Sequence, residues 1–573
     1  MDLLLTLMLT AAPPAIGVDD LVPGQRGECQ TVFEGDQPEP MAFVVKGVMR
    51  NFLGPNKNVV VIRLLGDKPE WSGVVAGMSG SPCSIDGKLV GALAYSFAAF
   101  AKEPIAGITP IADMLEVQNL PETERPWRAT ASIGQDWGAF KRGAAPPSDS
   151  ASSEVRAIAT PLAMAGVPAA VAEHFGPWLR AIGFEPVVGG AMAKGTAARP
   201  LVPGGAVAAV LVTGDVDVAA TGTVTTVDGD RVLAFGHPFL GAGMVSLPMA
   251  NATIVNTMVS AQRSYKMAVT GALVGEVIQD RLTAIGGRTG VRAAMLPVRG
   301  KVKVGATESR FSFDVARDVM LTPRFVAIGT AGALVGRVES AERGTVRLAG
   351  RIDIDGMAPV RVENVYAAER DGGLFINAAI DMAMTLATLW DTPFGPPPRM
   401  QLSLDAAYDP KPTSEWIEGL HVDRGELRPG NTAEVAVRLR RAQGGTSTEK
   451  FLLAVPHSWA DQTVEIVAAG AVAAEDLAGD VDGEPRPIDL KGIGAWLSGR
   501  RPDGRLYLMV VRPGAGLMAG AEAMSFLPGS AVAVLSGDPS KARRSRGVAW
   551  EEQRARPGVV SGKARIAVRV LPM

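Results

Sequence analysis

The amino-acid sequence predicts a mainly β protein with a smaller α-helical component. The chain of 573 residues contains 66 Gly and 41 Pro, and only 5% of its residues are aromatic. That composition favours many turns and short strands over long helices. Asp-Gly pairs, which favour tight hairpin turns, stand at residues 86–87, 228–229 and 355–356. We therefore expect several β-rich units, and the length suits about three or four domains.

The first β-rich unit is predicted for residues 18–125. Apolar and alternating segments bounded by turn residues indicate its elements. These are strands at 31–33, 41–48 and 59–65, a turn at 66–69, a hairpin at 83–95 and a short helix near 112–117.

Residues 126–205 are predicted to form a linker and a helical segment. The linker is indicated by the Ala-, Pro- and Ser-rich composition of residues 144–150. A helix is expected to begin at Thr160-Pro161 and to reach about residue 183, because threonine suits an N-cap and proline suits the first helical turn. Pro168 and Pro177 are expected to divide it into short pieces.

The rest of the chain is predicted to form two further β-rich units, at 206–395 and 396–573. Strands at 207–212, 219–227 and 231–235 and a helix at 374–390 indicate the first of them. The Gly-Pro-Pro-Pro run at 395–398 predicts the boundary. Alternating apolar and polar residues at 434–440, with further strands up to residue 570, predict a C-terminal β-sandwich.

Charge and hydropathy exclude several classes of protein. The net charge of −2 gives no electrostatic reason to expect a nucleic-acid partner. No apolar run reaches the roughly 18 residues of a transmembrane helix. The apolar segment at 3–12 suits a secretory signal, so residues 1–17 are a possible signal peptide and an extracytoplasmic location is expected, whether periplasmic, envelope-associated or secreted.

The two cysteines and four histidines do not indicate a metal centre, because no pair of them has ligand spacing. We expect no metal and no cofactor. Cys29 and Cys83 have two interpretations. They either form one bridge that joins the N-terminal strand to the hairpin at 83–95 or remain two buried thiols.

Ser79 is the candidate nucleophile. It lies in Gly77-Met78-Ser79-Gly80-Ser81-Pro82, directly before the predicted hairpin. Glycines on both sides permit a sharp bend that presents the serine hydroxyl, as a nucleophile requires. A tight polar turn without chemistry is the alternative explanation of the same motif.

His237 is the candidate general base. It follows a predicted strand and stands between Gly236 and Pro238, and because the proline ends the strand's hydrogen bonding, His237 is expected at the rim of a sheet. The other histidines, at positions 174, 421 and 457, have no motif around them and are interpreted as structural or surface residues.

Asp67 is the candidate acid that orients the base. It lies at the end of a predicted buried strand, in the same unit as Ser79. Asp86, Asp228 and Asp230 are weaker candidates because turn formation already explains them. A nucleophile, a base and an acid together make the constellation that acyl transfer requires, and it occurs in several chain orders.

These residues resemble a known family. The Gly-Met-Ser-Gly-Ser-Pro signature at 77–82, with Gly-Lys at 87–88 and Gly-Ala at 91–92, closely resembles the nucleophile segment of the stage IV sporulation protein B serine peptidases. The resemblance implies Ser79 as nucleophile, Asp67 as acid and His237, after a Gly-Thr strand at 222–225, as base. It covers roughly residues 20–120 and 205–300.

The same resemblance implies a fold and an oxyanion hole. The family resembles chymotrypsin-like double β-barrel peptidases, which implies such a core here and an oxyanion hole formed by the N–H groups of Gly77 and Ser79. The chain departs from the family in two ways. Its histidine follows the aspartate and the serine instead of preceding them, and no PDZ domain is recognisable before the peptidase segment.

Two functions are therefore expected. The first is an exported serine endopeptidase that cleaves a protein or peptide substrate through Ser79, His237 and Asp67. The second is a non-catalytic cell-envelope binding or scaffold protein that retains a peptidase-like fold. A lipase or esterase fits less well, because position 81 is serine and does not complete the Gly-x-Ser-x-Gly motif of those enzymes.

Overall fold

The fold is described by a computed structural model. It describes residues 14–97, 102–121, 137–145, 156–191, 197–338, 343–368, 373–395, 399–482, 487–512, 516–519, 522–524, 527–535, 542–545 and 548–573. The chain forms two compact units, one comprising Met1–Leu296 and Ser312–Ala333 and the other Pro297–Phe311 and Leu334–Met573. Strands predominate in both, which confirms the predicted mainly β class.

The elements up to residue 335 are named in chain order. The strands are β1 Arg26–Thr31, β2 Glu39–Gly54, β3 Lys57–Leu64, β4 Pro82–Ile85, β5 Lys88–Ser96, β6 Ile105–Pro110, β7 Arg156–Ala157, β8 Thr160–Ala165, β9 Phe184–Val188, β10 Gly190–Ala191, β11 Ala206–Gly214, β12 Asp217–Asp228, β13 Arg231–Ala234, β14 Gly243–Met258, β15 Tyr265–Arg281, β16 Ala284–Thr289, β17 Met295–Val304 and β18 Thr307–Ala316. The helices are α1 Asp67–Ser72, α2 Ile111–Gln118, α3 Trp137–Arg142, α4 Ala169–Ala181 and α5 Leu321–Val335.

The first six strands close into a ring. Their order is β4-β1-β2-β3-β6-β5, and β4 also pairs with β5 through the predicted Asp86-Gly87 turn. Inward-facing apolar side chains such as Phe43, Ile62 and Ile108 fill the ring. Because no strand of the ring is left with an unpaired edge, this barrel is a rigid base for the chain segment that joins α1 to β4.

A second ring of six strands follows in the same unit. Its order is β11-β14-β15-β16-β13-β12, and pairing between β11 and β12 closes it. Strands β8 and β9 extend it beyond β12, and β18 pairs with β11. The Asp228-Gly229 turn connects β12 to β13, as the sequence predicts. Both rings therefore belong to one compact unit.

The helix predicted from residue 160 is wrong over its first part. Residues 160–165 form strand β8, which pairs with β12 and β9, and the helix begins at Ala169 after Pro168. Thr160 and the four residues after it are buried. Burial on both faces outweighs the capping preference of Thr160, because a strand inside a sheet satisfies the backbone while it buries every side chain.

The second unit contains the remaining named elements. The strands are β19 Gly344–Ile354, β20 Val360–Ala368, β21 Met400–Asp409, β22 Ser414–Val422, β23 Glu426–Leu427, β24 Thr432–Arg441, β25 Thr446–Ala454, β26 Thr463–Ala469, β27 Arg505–Val511, β28 Gly516–Ala519, β29 Glu522–Met524, β30 Ala542–Ser545, β31 Val548–Ala555, β32 Val559–Ser561 and β33 Lys563–Val570. The helices are α6 Leu374–Trp390, α7 Ala471–Asp482, α8 Leu490–Ser498 and α9 Gly529–Leu535.

Two sheets of the second unit share one core. The order of one sheet is β25-β24-β22-β32 and that of the other is β23-β33-β26-β27-β31. Val435, Val437 and Leu439 point into the common core, as the alternation in the sequence predicts. The predicted boundary at 395–398 lies inside this unit, which is continuous from Leu334 to Met573, and residues 396–398 fall outside the described residues.

The predicted signal peptide lies mostly outside the described residues. Of residues 1–17, the structure describes 14–17, where Ala15 forms a bridge with Leu89 of β5. Among the described helices, none has both the length and the apolar character needed to cross a bilayer.

A disulfide between Cys29 and Cys83 holds β1 against β4. The two residues face each other in the antiparallel register, and both are fully buried. Of the two interpretations, the structure therefore has the bridge. The β1–β4 pairing comprises two residue pairs, so the bridge reinforces the shortest pairing in the first ring.

Loss of this bridge is expected to destabilise the protein. The crosslink joins residues 54 apart, and removing a constraint of that length from the unfolded chain typically costs about 2–4 kcal/mol. Urea unfolding of the wild type with and without a reductant should show this difference. A Cys29→Ser/Cys83→Ser variant is the control, because its unfolding should not respond to the reductant. An equal response in both proteins would contradict the prediction.

Candidate active site

The segment from Val75 to Ser81, here called the serine turn, is a tight turn shaped by two glycines. Gly77 and Gly80 have φ values of 97° and 98°, a region that other residues rarely adopt. The Met78 N–H donates to the Val75 carbonyl at 3.1 Å, and the Ser81 hydroxyl donates to the Met78 carbonyl at 2.7 Å. The turn is therefore fixed from within by its own hydrogen bonds.

Strand β12 of the second ring holds the serine turn from outside. The Thr223 N–H donates to the Ser79 carbonyl at 2.9 Å. The Thr223 hydroxyl donates to the Gly77 carbonyl at 3.0 Å, and the Thr225 hydroxyl donates to the Gly80 carbonyl at 2.7 Å. These residues are buried, so each bond satisfies a carbonyl that water cannot reach. The sequence resemblance includes both threonines in the strand at 222–225, but their bonds to the serine turn were not predicted.

The backbone before His237 runs directly beside the serine turn. A Cβ atom at Gly80 would lie 1.9 Å from the Thr223 carbonyl oxygen and 2.4 Å from the Phe235 nitrogen. The Thr109 hydroxyl of β6 donates to the Gly236 carbonyl at 2.6 Å. The structure thus brings together the two segments that carry Ser79 and His237, although they lie far apart in the sequence.

The His237 ring is buried, with one nitrogen bonded and the other free. Nδ1 lies 2.9 Å from the Pro238 carbonyl, and because a carbonyl only accepts, Nδ1 carries the proton. Burial lowers the pKa of His237 to about 4, although its hydrogen bond to Pro238 acts in the opposite direction. The ring is therefore neutral at pH 7, and its Nε2 is a free acceptor.

Ser79 is as buried as His237. Its exposed fraction is 0% and that of His237 is 2%. Within the described part of the chain, neither Ser79 Oγ nor His237 Nε2 has a hydrogen-bond partner, so the two groups are not bonded to each other. Two buried polar atoms without hydrogen bonds reduce the stability of the folded state. Proteins keep such atoms mainly at sites with a chemical role.

Asp67 is not brought to the histidine. Gly66, with φ 102°, turns the chain after β3, and Asp67 becomes the first residue of the exposed helix α1. The protonated nitrogen of His237 is bonded to Pro238 instead of to a carboxylate. The structure therefore corrects the predicted contact, because the chain leaves the sheet for solvent before it reaches Asp67.

Asp280 of β15 fixes the chain that follows His237. Its carboxylate accepts hydrogen bonds from the N–H groups of Phe239, Leu240 and Ala242 at 2.8, 2.9 and 3.1 Å. Burial raises the pKa of Asp280, and the three N–H donors act in the opposite direction. Sequence reasoning missed this residue. Asp280 lies between Gln279 and Arg281 near the end of β15, so no local sequence signal sets it apart.

The predicted oxyanion donors are free in the serine turn. The N–H groups of Met78 and Gly80 donate to the carbonyls of Val75 and Leu93. Among the hydrogen bonds of the described residues, none uses the N–H of Gly77 or of Ser79. Two unpaired amides two residues apart in one turn are the kind of donors that stabilise an oxyanion.

Lys266 lies against the serine turn and was not found from the sequence. It is the second residue of β15, with an exposed fraction of 0%, and its N–H donates to the Ala76 carbonyl at 3.0 Å. Its Nζ lies 2.8 Å from the Thr31 hydroxyl. Burial lowers the pKa of Lys266 to about 7.

Comparison with known proteins does not identify this site. Searches of protein-family models, of curated proteins and of solved structures find no match to the chain. Within the described residues, no group of three or more His, Cys, Asp or Glu side chains is arranged to hold a metal ion.

The burial of His237 predicts a dependence of stability on pH. The unfolded chain binds a proton near pH 6.5, whereas the folded chain binds it only near pH 4. Stability is therefore present above pH 6.5 and is lost as the pH falls from 6.5 to 4, by about 3 kcal/mol from this group. Urea unfolding across that range should show a shallower loss for His237→Gln than for the wild type. Parallel curves would contradict the burial argument.

Gly80 is expected to tolerate no side chain. Gly80→Ala would place Cβ 1.9 Å from the Thr223 carbonyl oxygen, whereas Gly87→Ala, also at positive φ, meets nothing within 4 Å. Both variants carry a backbone cost of about 1 kcal/mol. We expect Gly80→Ala to lose about 3 kcal/mol or more in urea unfolding, because the clash adds to that cost. Equal losses in the two variants would refute the close contact between the serine turn and β12.

Proposed function

We propose that the chain is an exported serine endopeptidase, with Ser79 as nucleophile and His237 as general base. The observation that carries the proposal is the pair of unbonded buried atoms, Ser79 Oγ and His237 Nε2, on adjacent backbone segments. A neutral imidazole with a free Nε2 is the form that a general base requires.

The reaction proposed is acyl transfer through a covalent intermediate. Ser79 Oγ bonds to the carbonyl carbon of the substrate while its proton passes to His237 Nε2. The free N–H groups of Gly77 and Ser79 donate hydrogen bonds to the resulting oxyanion. The C–N bond then breaks as the imidazolium gives its proton to the leaving amine, and a water molecule, deprotonated in the same way, releases the acyl group and restores Ser79.

In this proposal the Pro238 carbonyl takes the orienting role that the sequence assigned to Asp67. It holds the proton on Nδ1 and so leaves Nε2 free to accept. A neutral carbonyl stabilises the imidazolium less than a carboxylate does, so slower catalysis than that of a full triad is expected.

The fold supports the same proposal. Two closed six-stranded rings in one unit, with the candidate residues where the rings meet, are what a chymotrypsin-like double β-barrel provides. They are also consistent with the resemblance to the stage IV sporulation protein B peptidases. The second unit, with two sheets around one core, would be the β-sandwich beyond the peptidase. The buried disulfide supports an extracytoplasmic location.

The burial of Ser79 favours a second candidate function. A hydroxyl with an exposed fraction of 0% cannot meet a peptide unless the site opens, so the peptidase proposal includes an opening step. A binding or scaffold protein of the cell envelope would need no such step and would keep the serine turn only as a structural joint between the rings.

Labelling with a fluorophosphonate probe separates the two functions. We expect the wild type to be labelled at Ser79 and Ser79→Ala not to be labelled. His237→Gln should be labelled about a hundredfold more slowly or less, because the proton acceptor is lost. Ser84→Ala, at a serine of β4 outside the serine turn, is the matched control and should still be labelled. A folded wild type that is never labelled would refute the peptidase and support the scaffold.

A further inference from the structure

We propose that Lys266 is a further functional group of the Ser79 site, whose ammonium lies beneath the serine turn and stabilises the negative charge that develops there. This inference rests on the proposed function, because it assigns to Lys266 a part in the reaction of Ser79. Neither the sequence motif nor the Ser79 and His237 pair includes this lysine.

The side chain of Lys266 crosses under the serine turn. At one end, a Cβ atom at Gly77 would lie 3.3 Å from Lys266 Cβ and 3.2 Å from its Cδ. At the other end, Nζ is bonded to the Thr31 hydroxyl at the end of β1. Thr31 ends β1, and β1 pairs with β4, which begins directly after the serine turn. The lysine stem therefore lies against Gly77, and its amine is bonded to the strand that pairs with the chain leaving the turn.

Among the described residues, no counter-ion pairs with the charge on Lys266. The amine forms a hydrogen bond with the Thr31 hydroxyl. An ammonium buried without a counter-ion is costly, and it favours any anion that forms nearby. The oxyanion of acyl transfer is such an anion, since Ser79 and His237 are both neutral beforehand.

The distance is short enough for a large effect. Ser79 is two residues after Gly77, so their Cα atoms are at most about 7 Å apart. Lys266 Cδ lies against Gly77 and Nζ lies two bonds beyond Cδ, so Nζ is within roughly 14 Å of Ser79. At that distance and at the effective dielectric constant of a protein site, two unit charges interact strongly enough to change a rate by roughly tenfold. The serine turn is bonded to β12 and β15, so it cannot move away from the lysine without breaking these bonds.

Lys266 keeps its proton throughout the proposed reaction. The Ser79 proton passes to His237 Nε2, and no bond forms to the lysine. The reaction therefore needs a charged Lys266 and a neutral His237. Among the described residues, the Thr31 hydroxyl and the backbone of Gly77 lie against the lysine side chain, and Thr257 of β14 is paired with Lys266, and none of these groups titrates. Burial alone lowers the pKa of Lys266 to about 7, so the rate should fall as the pH rises through 7.

The test is the rate of fluorophosphonate labelling of Ser79 in the full chain between pH 4 and pH 9. We expect the wild-type rate to be highest between pH 4 and pH 7 and to fall about tenfold or more above pH 7. Lys266→Met should be slower by roughly tenfold at pH 6 and should lack the fall above pH 7. Lys88→Met, at an exposed lysine of β5, is the matched control and should behave as the wild type.

The outcomes separate this inference from the proposed function. A wild type labelled at Ser79 with a rate that rises through pH 7 overturns the role of Lys266 and leaves the peptidase standing, and this result needs no variant to fold. A folded Lys266→Met with the wild-type rate and pH profile overturns it too. A wild type that is not labelled at any pH overturns both. Circular dichroism of Lys266→Met establishes whether that variant is folded.

Discussion

The hydrogen bonds between β12 and the serine turn are the constraint on which the candidate site depends. Thr223 and Thr225 donate hydrogen bonds to the carbonyls of Gly77, Ser79 and Gly80, so one strand of the second ring fixes three carbonyls of the turn. With its carbonyls taken up in this way, the turn keeps the N–H groups of Gly77 and Ser79 unused. The same contact brings the backbone before His237 beside Gly80.

The closed rings explain why the contact between the serine turn and β12 can be so close. Each ring pairs its own strands completely, so neither needs the other to satisfy its sheet. Contact between them is made by isolated backbone hydrogen bonds, by the two threonine hydroxyls and by the stem of Lys266. Close approach of backbones is possible because glycine stands at both positive-φ positions of the turn. The contact between the rings is therefore buried and polar, so a polar group there without a hydrogen bond raises the free energy of the folded state.

Local sequence signals predicted the local features well. Asp-Gly pairs predicted the hairpins β4–β5 and β12–β13, and the spacing of glycines predicted the sharp serine turn. The alternation of apolar and polar residues predicted which face of β24 is buried. Features set by distant contacts were not predictable in this way. Residues 160–165 became a strand because β12 and β9 lie on both sides of them.

The candidate site likewise combines residues that a local motif predicts with residues that only the folded chain reveals. Ser79 and His237 were found because each stands in a distinctive short motif. Asp67 was predicted from its place at the end of a buried strand near Ser79 and from the family resemblance, and the turn at Gly66 takes it into solvent. Lys266 and Asp280 stand in no motif, and only the folded chain shows that one lies against the serine turn and that the other holds the segment after His237.

The separation of the joined segments along the chain has a consequence for biosynthesis. The Thr223 hydroxyl and the Gly77 carbonyl that it holds are 146 residues apart. A ribosome therefore completes the first ring long before it has made the strand that clasps the serine turn. During translation the nascent chain therefore carries Ser79 before the second ring exists, and the proposed reactivity of that serine requires the second ring to have folded.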